Sequence, residues 1–359
     1  MFSGSDANQV DQNSHWHLTP YYHLDSQRNS ILRTFFPLIW KKALVKPVLK
    51  KSSLDSEVLK DYRPISNLQF LSKLIEQAAV SRITTHMTNS KLRELLQSAY
   101  RAFGSTETAL AKEQNDIHMM IDDKTVVILV LLDLSVAFDT VDYNLLLSRM
   151  MTQLGIGRRT VLTWLKSYLS DRSQSQHRWC IFTCCYPTIC SPSGSVLGPI
   201  VFTSYTLLIG DIALTHRLNV YYNADNTQLY VAFDPTDHED TTSILTQVEN
   251  CISDISIWMA ENKLKPNDDK AEVLILISKI HRSIHCISQV MVGGASIAPT
   301  LTVHNLGAMS DQSLTMDDLF KDICNTAYFH LHNISSIRNC LSNESAITLV
   351  HAFISSWLD

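Results

Sequence analysis

The chain has 359 residues, of which 45% are hydrophobic and 18% charged, with a net charge of −5 and a pI near 6.3. This is the composition of a globular protein long enough to bury a sizeable core in one large domain or two. The acidic balance excludes a global positive field that would by itself draw nucleic acid.

Residues 1–30 are polar, with His15, His17 and His23 scattered among Ser, Asn, Asp and Gln. Without an acidic or thiolate partner at fixed spacing, the trio reads as a loosely ordered extension, not a metal site. The opening Met-Phe-Ser-Gly-Ser-Asp lacks the charged and apolar blocks of a secretory signal. From Ile31 the text turns apolar and aromatic. Trp40 to Leu49 alternates like a strand, with Lys46-Pro47 expected to break it. Lys41, Lys42, Lys46, Lys50 and Lys51 cluster there, a pattern more often a solvated face than a binding site. Arg63 precedes Pro64, whose ring biases it to an extended backbone that projects the guanidinium outward. That geometry suits bidentate phosphate contact, although a surface salt bridge is the commoner fate of a lone arginine. Leu71 to Met87 has helical spacing, and Ser105-Thr106-Glu107-Thr108 opens a second helix.

Val126 to Leu132 is an unbroken apolar run rich in β-branched residues, which predicts a strand buried on both faces. At its end stand Asp133, Asp139 and Asp142. The last two are read as caps for the helix starting near Tyr143. Asp133, still on the strand, is read as a metal ligand, because a buried carboxylate needs a partner and a divalent cation is the usual one. Helices follow over Tyr143–Leu154 and Val161–Leu169, then hairpin material over 178–190. Ser191 to Pro199 is a small-residue loop of the kind that lets a backbone approach a phosphate or base, although most such loops are only turns. An apolar helix is expected from about Ile200. In Asn219 to Phe233 two strands flank the tip Asn223-Ala224-Asp225-Asn226, a hairpin signal that would place Asp225 beside Asp133 in one sheet. Glu249–Asn262 reads as an amphipathic helix, Ala271–Ile277 as a strand, Val303–Gly307 as a strand and turn, and Leu319–Ser336 and Glu344–Trp357 as helices.

The eight cysteines, four of them crowded at Cys180, Cys184, Cys185 and Cys190, have no zinc spacing and read as reduced thiols of an intracellular protein. No apolar stretch is expected to cross a bilayer, so no membrane partner is expected. Nucleus and cytoplasm stay open.

Several blocks in order resemble the reverse transcriptase of LINE-type (non-LTR) retrotransposons, particularly vertebrate elements. They are Tyr62–Leu68, Ser105–Leu110, Leu132–Asp142, Gly194–Pro199 and Trp258–Lys265. The resemblance runs from about Thr34 to Asp359. It implies an α+β right-hand polymerase: fingers and palm with an antiparallel sheet over 31–300, then a primer-grip region and the start of a truncated thumb over 301–359. It implies two Mg²⁺ ions, with Mn²⁺ as the alternative, and in-line nucleotidyl transfer on an RNA template with a DNA primer and deoxynucleoside triphosphates. Asp133 and Asp225 match the metal-binding aspartates, with the Leu134 carbonyl assisting. Arg63 matches the arginine gripping the triphosphate, and Lys270 the lysine supporting the departing pyrophosphate. Phe138 matches the aromatic that excludes a 2′-hydroxyl, for which ordinary core packing is the competing reading. Ser193 and Gly194 match the loop that seats nucleotide and template, and His304–Gly307 the primer grip.

The departures matter as much as the matches. The family's Tyr-Ala-Asp-Asp tip is here Asn223-Ala224-Asp225-Asn226, which puts a neutral amide where a second carboxylate belongs. Ser193 replaces a glutamine, Cys190-Ser191 replaces Gly-Val, and Pro266 interrupts a matching stretch. The expected consequence is impaired activity. A non-catalytic nucleic-acid-binding remnant, or a poorly folding pseudogene product, is the alternative. Nothing resembles the family's N-terminal endonuclease.

Overall fold

The computed structural model describes residues 35–50, 54–58, 61–93, 96–122, 125–135, 141–176, 194–267, 270–277 and 287–356. The first half runs β1 (Lys42–Leu49), β2 (Tyr62–Leu68), α1 (Phe70–Asn89), α2 (Thr106–Asp122), β3 (Val126–Leu132), β4 (Leu134–Ser135), α3 (Tyr143–Thr152), α4 (Arg159–Leu169) and β5 (Ser173–Gln176). The middle runs α5 (Gly198–Tyr205), α6 (Ile209–Thr215), β6 (Asn219–Asn223), β7 (Asn226–Phe233), α7 (His238–Glu261), β8 (Lys265–Pro266) and β9 (Glu272–Leu276). The hairpins β10–β11 (Val290–Val292, Ala295–Ile297) and β12–β13 (Thr302–Asn305, Ala308–Asp311) follow, then α8 (Asp317–Ser336) and α9 (Asn343–Val350), which runs into a π-helical turn at His351–Ser355.

The central strand β3 has the predicted bounds. It lies inside a four-stranded antiparallel sheet of order β6-β7-β3-β9. Its alternation divides two cores. Val126, Ile128, Val130 and Leu132 enter a large cluster with residues of α3, α4, α5 and α7. Val127 and Leu129 enter a smaller one with Ala109 and Ile117 of α2 and Val303 of β12. Each fully buried side chain of this size contributes about 1.5–3 kcal/mol, so an unbroken apolar run is required where both faces are covered.

A second sheet has the order β2-β1-β5, with β2 antiparallel and β5 parallel to β1. Here the structure corrects the expected break at Lys46-Pro47, because β1 continues through both residues to Leu49. Pro47 stands opposite Pro64. Two facing prolines exchange no N–H bond, so they occupy a non-hydrogen-bonded pair where neither ladder asks for a donor. Among the described residues the parallel pairing with β5 runs only as far as Val45.

Two helix readings also change. The helix expected from Glu249 begins at His238, where the Asp237 carboxylate accepts from the N–H groups of Glu239 (2.9 Å) and Asp240 (3.2 Å). Glu239 and Asp240 add charge that complements the helix dipole. The apolar helix expected near Ile200 starts at Gly198 and stops at Tyr205. The stretch Gly198–Thr215 has a mean hydropathy of 1.3, enough for a membrane span by composition and contrary to the expectation that no such stretch exists. It folds instead as two short helices, and 56% of it is buried inside the protein, which is the pattern of core packing. The cap reading for Asp142 holds: its carboxylate accepts from the N–H groups of Asn144 (2.9 Å) and Leu145 (3.1 Å). The hydrogen bond from Lys263, the backbone bonds and the lysine charge hold its pKa below the ordinary carboxylate value.

Among the described cysteines, Cys251 is buried and Cys324 and Cys340 are exposed, all as free thiols. Asp139, the four crowded cysteines and the hairpin expected over 178–190 lie outside the described residues.

Candidate active site

Three strand ends of the central sheet meet at one edge. β3 ends at Leu132 opposite Thr227, and Asp133 comes next. Asn223 pairs with Asn226, leaving Ala224-Asp225 as a two-residue turn with Ala224 at φ 59°. β9 begins at Glu272 opposite Leu131, and Lys270 stands just before it. Register alone therefore brings Asp133, Asp225 and Lys270 together. The Lys270 Nζ donates to Asp133 Oδ2 at 2.6 Å, and the Asn267 N–H donates to the Asp133 carbonyl at 2.9 Å. Pro266, which breaks the matching stretch in the sequence, pairs with Leu134 in the short β4–β8 ladder.

Burial pushes the Asp225 carboxyl above its ordinary pKa. The Asp133 charge adds to this, against a backbone hydrogen bond and the positive charges of Lys270 and Arg63. A carboxylate destabilised by desolvation and a like charge favours an incoming cation. The edge offers two aspartates among the described residues. Among the described residues no group of three or more His, Cys, Asp and Glu side chains converges, and Asn226 supplies only an amide.

Arg63 lies exposed on β2, near enough for its charge to act on Asp225. Gly194 lies against the same strand. Its φ is +98°, and a Cβ there would sit 2.9 Å from the Ser66 carbonyl oxygen, so a side chain is excluded both by conformation and by space. Behind it Glu76 of α1, fully buried, braces the loop. One carboxylate oxygen accepts from Ser72 Oγ at 2.9 Å. The other accepts from the N–H groups of Val196 (2.7 Å) and Leu197 (3.4 Å), at the N-terminus of α5. Glu76→Ala is expected to destabilise the protein by about 2–4 kcal/mol, because it strands buried N–H donors, and Glu76→Gln by less. Urea unfolding of both variants checks this. Phe138 and Ser193 lie outside the described residues.

Two features of this region were not foreseen from the sequence. The segment Leu96–Ser98 runs parallel to β6, with Tyr222 N–H donating to the Leu96 carbonyl (3.0 Å) and Ser98 N–H to the Tyr222 carbonyl (3.1 Å). The other lies under the expected strand and turn at Val303–Gly307, where β12 turns into β13 through Leu306 and Gly307 at φ 50° and 93°. Asn305 beneath that turn donates Nδ2 to both oxygens of buried Glu113, at 3.1 and 2.8 Å, and accepts from Gln228 of β7. Neither the Gln97–Ala224 nor the Glu113–Asn305 contact has a local signal, since each joins residues more than a hundred positions apart.

A palm-like antiparallel sheet carrying two aspartates at one edge, flanked by a smaller sheet carrying an arginine, is an α+β polymerase fold. The chain belongs to the reverse transcriptase (RNA-dependent DNA polymerase) family, whose model matches residues 48–310. It is 26% identical over 351 residues to the probable RNA-directed DNA polymerase from transposon BS of Drosophila melanogaster, covering 92% of this chain and 36% of that protein. It is 30% identical over 183 residues to the probable RNA-directed DNA polymerase from transposon X-element of the same organism, covering 50% of this chain and 19% of that protein. It is thus a reverse transcriptase domain of retrotransposon origin, corresponding to a minor part of its relatives' length. Among solved structures it is similar to apo telomerase from Candida tropicalis truncated from the C-terminal domain, with TM-score 0.47, 11% identity, and 76% of this chain and 55% of that chain covered. It is also similar to telomerase from Candida tropicalis in complex with a TWJ fragment of telomeric RNA, with TM-score 0.49, 11% identity, and 89% and 53% covered.

Proposed function

We propose that this chain holds an RNA template with a DNA primer and adds deoxynucleotides to the primer, at a rate reduced by Asn226 and Ser193. The observation that carries this reading is the convergence of Asp133 and Asp225 at one sheet edge, with Lys270 2.6 Å from the first. The donor set fits divalent cations, Mg²⁺ or Mn²⁺: two carboxylates, with the Leu134 carbonyl as a neutral third ligand. When bound, a pair of such ions polarises the primer 3′-hydroxyl and neutralises the triphosphate. The chain's own residues do the rest. Arg63 grips the triphosphate, Lys270 supports the departing pyrophosphate, Gly194 lets the backbone approach nucleotide and template, and Phe138 excludes a 2′-hydroxyl. Residues 31–300 form fingers and palm, 301–359 the primer-grip region and the start of a thumb, and 1–30 a polar extension.

A second reading is a nucleic-acid-binding domain without catalysis. It is favoured by the missing third carboxylate at Asn226 and by Lys270 neutralising Asp133. Primer extension on an RNA template decides between them. We expect weak extension by the native chain, none by Asp133→Ala, and at least about a hundredfold gain in an Asn226→Asp, Ser193→Gln double variant, because ligand geometry sets the reaction geometry. Salt-sensitive template–primer binding with no extension by any of the three establishes the second reading.

A further inference from the structure

We propose that Gln97 is a positioning residue for the turn that aims Asp225, resting on the reading of Asp225 as a cation ligand. Its side-chain oxygen accepts two N–H bonds, from Ala99 at 3.1 Å and from Ala224 at 3.2 Å. The second joins it to the residue immediately before Asp225, at the one point where the hairpin backbone takes a positive φ without a glycine, at 59°. A left-handed alanine is strained, and such a turn persists only where its surroundings hold it. Within the turn, the Ala224 N–H is held by this side chain from another element.

Gln97 is in turn well anchored. It is 7% exposed, and its backbone is bridged to Tyr222 in parallel, with hydrogen bonds on both sides of that bridge. Ser98 Oγ adds a third bond to the Tyr222 carbonyl, at 3.2 Å. Three residues beyond, Tyr100 also holds a positive φ, of 60°, and its phenol lies in the field of Asp225. The segment thus acts as a fifth strand-like edge to the sheet at the catalytic hairpin. Its one inward amide fixes the turn from outside, as a partner behind a metal ligand fixes that ligand's direction.

The test uses the full chain with Gln97→Leu, which removes the acceptor, and Gln97→Glu, which keeps it. Two readouts are taken: amide exchange at Ala224 and Asp225, and Mn²⁺ affinity by electron paramagnetic resonance, with Asp225→Asn as the blank. We expect Gln97→Leu to speed Ala224 exchange at least tenfold and to weaken Mn²⁺ about tenfold or more while the urea midpoint stays close to native. Gln97→Glu should restore slow exchange. Unchanged exchange overturns the proposal, and so does fast exchange with native Mn²⁺ affinity, which reduces Gln97 to a structural contact. If the native chain itself shows no Asp225-dependent Mn²⁺ binding, the cation reading fails, and exchange at Ala224 alone then supports or overturns the role of Gln97.

Discussion

Arg149→Ala is expected to lower the unfolding free energy by about 4 kcal/mol, one of the larger single losses this fold can suffer. Arg149 is 9% exposed, and among the described residues it pairs with no carboxylate. Its guanidinium donates to the Tyr205 carbonyl of α5 and to Asn262 Oδ1 at the end of α7. It also lies over the Tyr205 and Trp258 rings, at 4.6 and 4.9 Å. Desolvation lowers its pKa, so a buried cation is tolerated here only through these acceptors and ring faces. Truncation leaves two buried acceptors unmet and opens a cavity among three helices. Arg149→Lys should recover little, since a point charge reaches one acceptor where the fork reaches two. Urea denaturation of the three proteins measures the ordering, and a Lys variant as stable as native would mean charge alone matters.

The second large effect is a pH dependence of stability centred on Glu113. Burial raises its carboxyl to about 7, opposed by the hydrogen bond from Asn305. Between the ordinary value of 4.5 and about 7, folded Glu113 holds a proton that the unfolded chain has released. The folded state binds more protons there, so stability falls as pH rises across that window. Its stabilisation is full below pH 4.5 and gone above about pH 7, a change of about 3 kcal/mol. Glu113→Gln keeps an acceptor for Asn305 and never ionises. Its stability should match the native chain near pH 4.5 and exceed it by roughly 2–3 kcal/mol at pH 8. Denaturant midpoints measured across that range test this, and parallel profiles would show that Glu113 ionises without penalty.

What the sequence made legible follows from which physical signals are local. β3 was readable to the residue because burial on both faces demands an unbroken apolar run. The Asp142 cap was readable because its partners lie two and three residues away. Asp133 was legible as a carboxylate at a strand end and Asp225 as one at a hairpin tip, Lys270 came from the resemblance alone, and strand register puts the three at one edge. The true start of α7 was not read, although Asp237 followed by Glu239 and Asp240 is an N-terminal signal, because Thr241, Thr242 and Ser243 weaken the helical pattern after it. The Gly293-Gly294 hairpin between β10 and β11 was also passed over, although both glycines take the positive φ of such a turn, 57° and 88°. Glu76, Gln97, Glu113 and Arg149 were out of reach for a different reason. Each is a polar residue in the interior with at least one partner set by tertiary structure: Val196 for Glu76, Ala224 for Gln97, Asn305 for Glu113 and Asn262 for Arg149.

The facing prolines of β1 and β2 bear on how this protein behaves in a crowded solution. Among the described residues β2 is the outer strand of its sheet, and β1 has no strand partner beyond Val45 on the side of β5. In a non-hydrogen-bonded pair the backbone donors point away from the partner strand, towards those open edges. Pro64 and Pro47 have no donor to offer at either one. A second chain laying a strand against these edges would therefore find a gap in its hydrogen-bond ladder, so the sheet is protected from edge-to-edge aggregation beside the arginine it displays.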